Sequence, residues 1–293
     1  MPELPDVDVY VDVLRRKLAG QRVEAIRLGN PFVLRSVEPA IDAAIGQTVS
    51  DVRRIGKRIA VGLDNDVWLV IHLMIAGRLQ WHEKTPTITA RNRVAAFDFG
   101  SGSLLLTEAG TKKRASLYLA AGESGLQDHD RGGLEPLECT AEEFAEAVRL
   151  ENHTLKRTLT DQRIFSGIGN AYSDEILHVA KLSPVALSQK LDDAAIQTLF
   201  EATRDTLSSW RERLLTEADG EMPEKVTAFR PEMRVHGRFG KPCPECGAPV
   251  QRIRYKSNET NYCAACQTGS RILKDRSLSR LLKEDWPKTL DEL

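Results

Sequence analysis

Cysteine, aromatic residues and long apolar runs are all scarce in this chain of 293 residues, and each shortage excludes a class of protein. Five cysteines are too few for a disulfide scaffold. The best apolar run, Val67 to Ile75, is interrupted by His72 and is far shorter than the roughly 18 residues of a membrane helix. The opening Met-Pro-Glu-Leu-Pro-Asp has acids where a secretory signal needs bases and then an apolar stretch, so the protein is expected in the cytoplasm. Net charge is nearly absent too, at −1, which argues against binding polyanions over the whole surface. A composition of 41% hydrophobic and 28% charged residues is that of a globular protein, and the length predicts about two domains.

The near-zero net charge hides an asymmetry. Between Lys225 and Arg280 there are twelve Lys or Arg against four acids, a net of +8, so the remainder carries −9. One end thus has the electrostatic footprint of a phosphate-binding surface. At the other end Val7, Val11, Leu14 and Leu18 fall at helical spacing, with Asp6 and Asp8 in the first turn, Arg15 to Lys17 in the last and Gly20 as the stop. From Val23 to Leu119 the pattern changes to short β runs, VEAIRL, RIAVGL, VWLVIHL, VAAFDF, SLLLTE and RASLYLA, which predict an antiparallel sandwich of two sheets. A polar stretch from Gly122 to Pro136 reads as a linker, and helical text follows. The domains are expected at 1–121, 137–229 for the helical part, 230–270 for a cysteine module and 271–293 for a basic-to-acidic tail.

Cys243, Cys246, Cys263 and Cys266 form C-x2-C-x16-C-x2-C. Four thiolates from two tight turns can close a tetrahedral shell around one Zn²⁺ with no open position, which makes such a site structural; two unrelated reduced pairs are the plainer reading. Between the pairs, Val250 to Lys256 alternates apolar and basic residues as a hairpin does, so Arg252, Arg254 and Lys256 can face a phosphate backbone or merely solvent. Only Tyr255 and Tyr262 interleave, which favours a duplex over a single strand that stacks its bases.

Two further elements invite chemistry. Phe165-Ser166-Gly167-Ile168-Gly169-Asn170 lies between two helical segments, and its backbone amides at a helix start suit a phosphate, although many helical hairpins use such glycines for packing alone. Pro2 is small enough that Met1 is expected to be trimmed, freeing a secondary amine near pKa 8 as a nucleophile beside the Glu3 carboxyl. A plain chain start reads the same way. Taken alone, Lys57 is one more exposed lysine and His72 a satisfied core histidine.

Together these blocks resemble the formamidopyrimidine-DNA glycosylase and endonuclease VIII (Fpg/Nei) family over essentially the whole length. The resemblance is carried by PELPDVD at the start, the lysine of RRIGKR, HLMIAGRL, SGIGNAYSDEIL, VHGRFGKPC and the cysteine spacing, all in family order. It implies an α+β, bilobal protein, with an N-terminal helix plus antiparallel β-sandwich and a C-terminal helix-two-turn-helix domain with a zinc finger. It implies a bacterial base-excision repair enzyme, a DNA glycosylase and abasic-site lyase acting as a monomer on damaged double-stranded DNA. By the same resemblance Pro2 is the nucleophile, Glu3 the acid that opens the sugar and Lys57 an assisting cation. His72, Lys156 and Asn170 match DNA-contacting positions. The damaged nucleotide would be extruded from the stack, because C1′ of a stacked nucleotide is screened from an approaching amine.

The chain also departs from the family. Asn258 stands where the finger hairpin has an arginine that clamps phosphates, and an amide cannot replace a bidentate cation. Arg252, Arg254 or Lys256 would have to supply that charge. The void-filling methionine aligns with Ile75, and the arginine–phenylalanine wedge has no match in Gly110 to Arg114, where Lys113 or Arg114 takes part of the work. His236 replaces a tyrosine. A lesion-recognition loop is expected around Glu221 to Arg230. Nucleophile and acid are undisturbed, so the alternatives are a non-catalytic binder of damaged DNA, or an enzyme restricted to abasic sites or bulky adducts. A bare zinc ribbon leaves the first 230 residues unexplained.

Overall fold

The structure, a computed structural model, describes residues 1–292 except 224, 225, 228, 256 and 257, and only the backbone at 276–278 and 285. Two compact units result, Met1–Arg131 with Trp210–Val226, and Gly132–Ser209 with Thr227–Leu293.

The first unit opens with helix α1 (Leu4–Leu18), started by a capping box in which the Glu3 N–H donates to the Asp6 carboxylate at 3.0 Å. Its predicted apolar face, Val7, Val11, Leu14 and Leu18, is buried. Eight strands follow, β1 (Val23–Leu28), β2 (Val49–Ile55), β3 (Arg58–Leu63), β4 (Val67–His72), β5 (Gly77–His82), β6 (Arg93–Phe99), β7 (Gly102–Glu108) and β8 (Ser116–Ala121). They form two antiparallel sheets in the orders β1-β6-β7-β5 and β2-β3-β4-β8. Alternate residues of both sheets, among them Ile59, Val61, Leu69, Ile71, Phe97, Leu104, Leu106 and Leu117, share one core with α1.

Strands β2 and β5 were absent from the expected set. Both are edge strands, and their charged or polar members, such as Asp51, Arg53, Arg54, Arg78 and Gln80, blur the alternation that marks a strand from sequence. The expected linker also differs, since Gly122–Gln127 forms helix α2, whose buried Leu126 packs with Ala60, Trp68, Val70 and Ala120 on the outer face of the second sheet. Residues returning from further along the chain complete this unit. Leu214 packs with Val9 and Val13, and Val226 joins the main core. Asp8 holds the guanidinium groups of Arg54 at 2.7 Å and Arg211 at 2.8 Å.

The second unit contains α3 (Ala141–Arg149), α4 (Leu155–Thr160), α5 (Asn170–Val179) and most of α6 (Asp193–Ala218), around an aromatic group in which Phe144 lies 4.7 Å from Phe165 and 5.3 Å from Phe200. The hairpin β9 (Val250–Arg254) and β10 (Glu259–Cys263) follows, then α7 (Ala264–Thr268) and α8 (Arg276–Leu282). The tail packs on the hairpin, with Ile272, Leu273 and Leu290 against Ile253, Tyr262 and Ala264. Buried Asp275 accepts the Arg254 N–H at 2.5 Å, and the Leu273 N–H donates to the Tyr262 hydroxyl at 2.7 Å. Among the described residues no helix is long and apolar enough to cross a membrane.

Candidate active site and metal centre

In the first unit the chain start, the β2–β3 turn and the end of β4 lie close together. Pro2 and Glu3 are buried, and Glu3 is the residue capping α1, so its carboxylate sits at the positive end of that helix. Lys57 occupies the two-residue turn between β2 and β3, after Gly56 at φ +55°, and is only 8% exposed rather than the solvated lysine its sequence context predicts. The terminal amine of Met1 senses Glu3, Asp6, Arg78 and Lys57. Burial lowers its pKa from the usual 8.0, the cations Arg78 and Lys57 push the same way, and the two carboxylates oppose them.

His72 pairs across the sheet with Arg58. Burial first, then Arg58 and Lys57, bring its pKa down to about 4, so at neutral pH it is an uncharged imidazole. The unfolded chain, with its histidine near 6.5, therefore binds the extra proton first as pH falls. Stability contributed by His72 is complete above pH 6.5 and is lost between there and about pH 4. Urea midpoints at pH 7 and pH 5 are expected to drop for the native chain and to drop less for His72→Gln.

Two loops of this unit carry Ile75 and the Lys113–Arg114 pair, the residues expected to fill the void in the duplex and to take part of the missing wedge's work. Between β4 and β5, Met74 takes a left-handed φ of 52°, Ile75 stands 60% exposed at the tip, and the Gly77 N–H donates to the Leu73 carbonyl at 2.8 Å. A Cβ on Gly77 would lie 2.3 Å from that carbonyl oxygen, so the turn requires glycine. In the loop after β7, the buried Glu108 carboxylate accepts the Arg114 N–H at 2.9 Å and the Ala115 N–H at 3.2 Å, while the Lys113 ammonium donates to the Glu108 carbonyl. Arg114 itself is exposed.

In the second unit Asn170 is the first residue of α5, preceded by Gly167 at φ +78°. The Gln162 side chain stitches this turn, accepting the Gly167 N–H at 3.0 Å and donating to the Ile168 carbonyl at 2.7 Å. Asn170 Nδ2 donates to the Glu259 carbonyl at 2.9 Å, joining the turn to the hairpin. Lys156 donates to the Asn170 carbonyl at 2.6 Å and pairs with Asp174 at 2.5 Å, so its charge is met within the protein. Arg252 lies 4.1 Å from the Phe239 ring and 3.3 Å from Glu259, Arg254 is exposed, and Asn258 is exposed in the hairpin turn. Lys256, like part of the expected lesion loop, lies outside the described residues.

Sequence reasoning missed three residues of α5. Asp174 also binds His236 Nδ1 at 2.7 Å, and Glu175 accepts the N–H groups of Arg234, Val235 and His236 at 2.6, 2.9 and 2.9 Å. Burial pushes Glu175 upward in pKa, and those three N–H groups work against it. His178, 1% exposed, places Nε2 3.2 Å from Cys243 Sγ. An adjacent Asp–Glu pair and a histidine set among Ala171, Tyr172, Ile176, Leu177 and Val179 were the available signal.

The four cysteine sulfurs converge, with Cys246 3.4 Å from Cys263 and Cys243 4.0 Å from Cys266. Tetrahedral zinc with Zn–S near 2.3 Å sets its sulfurs about 3.8 Å apart. Burial and the neighbouring sulfurs push the Cys263 and Cys266 thiols up, while at Cys246 burial is outweighed by hydrogen bonds from the Ala248 backbone and the other sulfurs, which bring it down. The donor set and its spacing fit a metal of the zinc type.

Comparison with known proteins gives the family and the fold. The profile of the formamidopyrimidine-DNA glycosylase N-terminal domain matches residues 1–111, that of its H2TH domain residues 133–212, and that of the zinc finger found in FPG and IleRS residues 240–269. A formamidopyrimidine-DNA glycosylase from Herpetosiphon aurantiacus is 32% identical over 282 residues, covering 91% of this chain and all of the relative. An uncharacterized formamidopyrimidine-DNA glycosylase-like protein of Mycobacterium tuberculosis is 40% identical over 151 residues, 52% of this chain and 94% of its own. The crystal structure of MutM (FPG) from Thermus thermophilus superposes with a TM-score of 0.77 at 29% identity, covering 91% of this chain and 98% of that one. The same fold recurs in Lactococcus lactis Fpg bound to DNA containing an abasic site, with a TM-score of 0.78 at 24% identity over 91% of this chain and 99% of that one. By domain order, full-length identity and fold, the chain belongs to the formamidopyrimidine-DNA glycosylase (Fpg/Nei) family of base-excision repair enzymes.

Proposed function

We propose that this chain excises damaged bases from duplex DNA with Pro2 as nucleophile and then nicks the strand at the resulting abasic site. The observation that carries the reading is the burial of Pro2 and Glu3 at the chain start together with buried Lys57, the charges of Glu3 and Lys57 being sensed by the Met1 amine next to Pro2. With Met1 in place the Pro2 nitrogen is an amide; once Met1 is removed, Pro2 presents a secondary amine in nearly the same surroundings.

Attack of the Pro2 nitrogen on C1′ forms the C–N bond as the base leaves with the glycosidic electron pair. Glu3 takes the proton that the Pro2 nitrogen sheds on attack and passes it to the ring oxygen as the sugar opens, giving an iminium. The iminium acidifies the C2′ proton, whose loss expels the 3′ phosphate by β-elimination, and water returns the amine. Lys57 offers its ammonium to the phosphate beside the lesion, and neutral His72 offers one N–H. Ile75, exposed on its rigid turn, fills the space left in the duplex, with Lys113 and Arg114 beside the opposite strand.

In the second unit Asn170 and the amides at the start of α5 hold phosphate, and Lys156 orders that turn through Asp174. Arg252 and Arg254 supply the hairpin charge that Asn258 lacks. One structural Zn²⁺ held by Cys243, Cys246, Cys263 and Cys266 contributes folding energy to the finger and takes no part in the chemistry.

Borohydride added to protein and a duplex with one abasic site tests this reading. A covalent protein–DNA adduct is expected, and it should vanish in Pro2→Gly. No adduct from protein whose mass shows Met1 removed would leave a binder of damaged DNA, with Asn258→Arg as the first variant to restore grip.

A further inference from the structure

The cysteine cluster has a fifth donor that the four-cysteine spacing does not contain. His178 comes from α5, 65 residues before Cys243, and is buried at 1% exposure with Nε2 3.2 Å from Cys243 Sγ. His178, Cys243, Cys263 and Cys266 place one ligand atom each within 4.8 Å of one another. A set of three cysteines and one histidine is itself a common zinc shell. The cysteine outside this quartet, Cys246, is exposed, whereas Cys243 and Cys263 are buried.

The other ring nitrogen bears on the role. Histidines that serve as fixed zinc ligands normally donate their second N–H to a carboxylate or carbonyl, which locks the tautomer. His178 Nδ1 is buried with no hydrogen-bond partner among the described residues. Neither tautomer is therefore imposed. With the proton on Nε2 the ring donates to a thiolate, which can only accept; with the proton on Nδ1, the Nε2 lone pair faces the metal position.

We propose that His178 is a reserve ligand of this centre. While all four cysteines bind the metal, Nε2–H donates to the Cys243 thiolate. When Cys246 is lost from the shell, the proton shifts to Nδ1 and Nε2 completes a set with Cys243, Cys263 and Cys266. This rests on the zinc reading above.

The test uses the full-length chain as wild type, Cys246→Ala, His178→Ala and the double variant, read by zinc per chain after gel filtration, chelator competition and cobalt spectra. Cys246→Ala is expected to keep one metal. Its cobalt thiolate charge-transfer band should fall by about a quarter, as three sulfurs replace four, with the visible bands moved to shorter wavelength by the nitrogen. Adding His178→Ala to Cys246→Ala should weaken metal binding by about 10- to 100-fold, well beyond its effect in the four-cysteine background. Equal effects of His178→Ala in both backgrounds, or a Cys246→Ala chain that loses its metal or fails to fold, would overturn the proposal. A wild-type chain that binds no zinc would instead remove the zinc reading itself.

Discussion

Replacing Pro2 by glycine is expected to lower single-turnover base release by about 100-fold or more, while affinity for the same duplex is retained. The pyrrolidine ring ties the nitrogen back to Cα and blocks free rotation about the N–Cα bond, which restricts the directions its lone pair can take. Glycine supplies a primary amine on a freer backbone, and a misplacement of about 1 Å costs a reacting pair roughly 10²-fold. Pro2 lies at the buried foot of α1, next to the capping box of Glu3 and Asp6, so the helix and the acid stay where they are. The loss should therefore fall on the chemical step. Burst kinetics with a lesion duplex, set beside a binding titration with an uncleavable abasic analogue, separate the two. Excision at the native rate would end the assignment of Pro2.

Replacing Cys263 by serine is expected to remove the metal and with it most of the grip on duplex DNA. Cys263 is fully buried, closes β10, and donates its N–H to the Gln267 side chain at 2.8 Å, so no neighbouring group can take its position cheaply. Structural zinc contributes about 10–16 kcal/mol in isolated finger peptides, far more than a hairpin of this size gains by apolar burial. Without it Arg252 and Arg254 lose their registered strand. The dependence of log affinity on log salt should flatten by about 0.9 for each phosphate that the finger no longer neutralises. Native binding by metal-free protein would show the finger to be dispensable. The contrast with Cys246→Ala, for which metal retention is expected, is sharp because the two cysteines are only 3.4 Å apart at sulfur.

Much of the fold was readable from the residues. Helix α1, the inner strands and the cysteine hairpin all follow from periodicity, caps and spacing, because their side chains alternate between a core and another environment. What escaped depended on partners distant in sequence. Glu175 is a single acid in a helix until the chain returns with Arg234 to His236, and His178 is a plain histidine until Cys243 arrives. Strand β2 reads as polar because Arg54 is neutralised by Asp8 on a different element. The active site was the least legible part. Nothing in Pro2 alone separates a nucleophile from an ordinary second residue, and Lys57 differs from a surface lysine only in being buried by its turn. Resemblance to a family supplied those roles, and the gathered chain start supports them.

Residues 210–226 belong with the β-sandwich although the whole helix-two-turn-helix segment precedes them. On the ribosome, therefore, the catalytic unit is not finished when its strands have emerged. Val9 and Val13 wait for Leu214, and Asp8 waits for Arg211, until about eighty intervening residues have been made. A nascent chain stalled near residue 131 would carry an open apolar stripe on α1, a natural landing place for a chaperone, and maturation of the two units becomes interleaved rather than sequential.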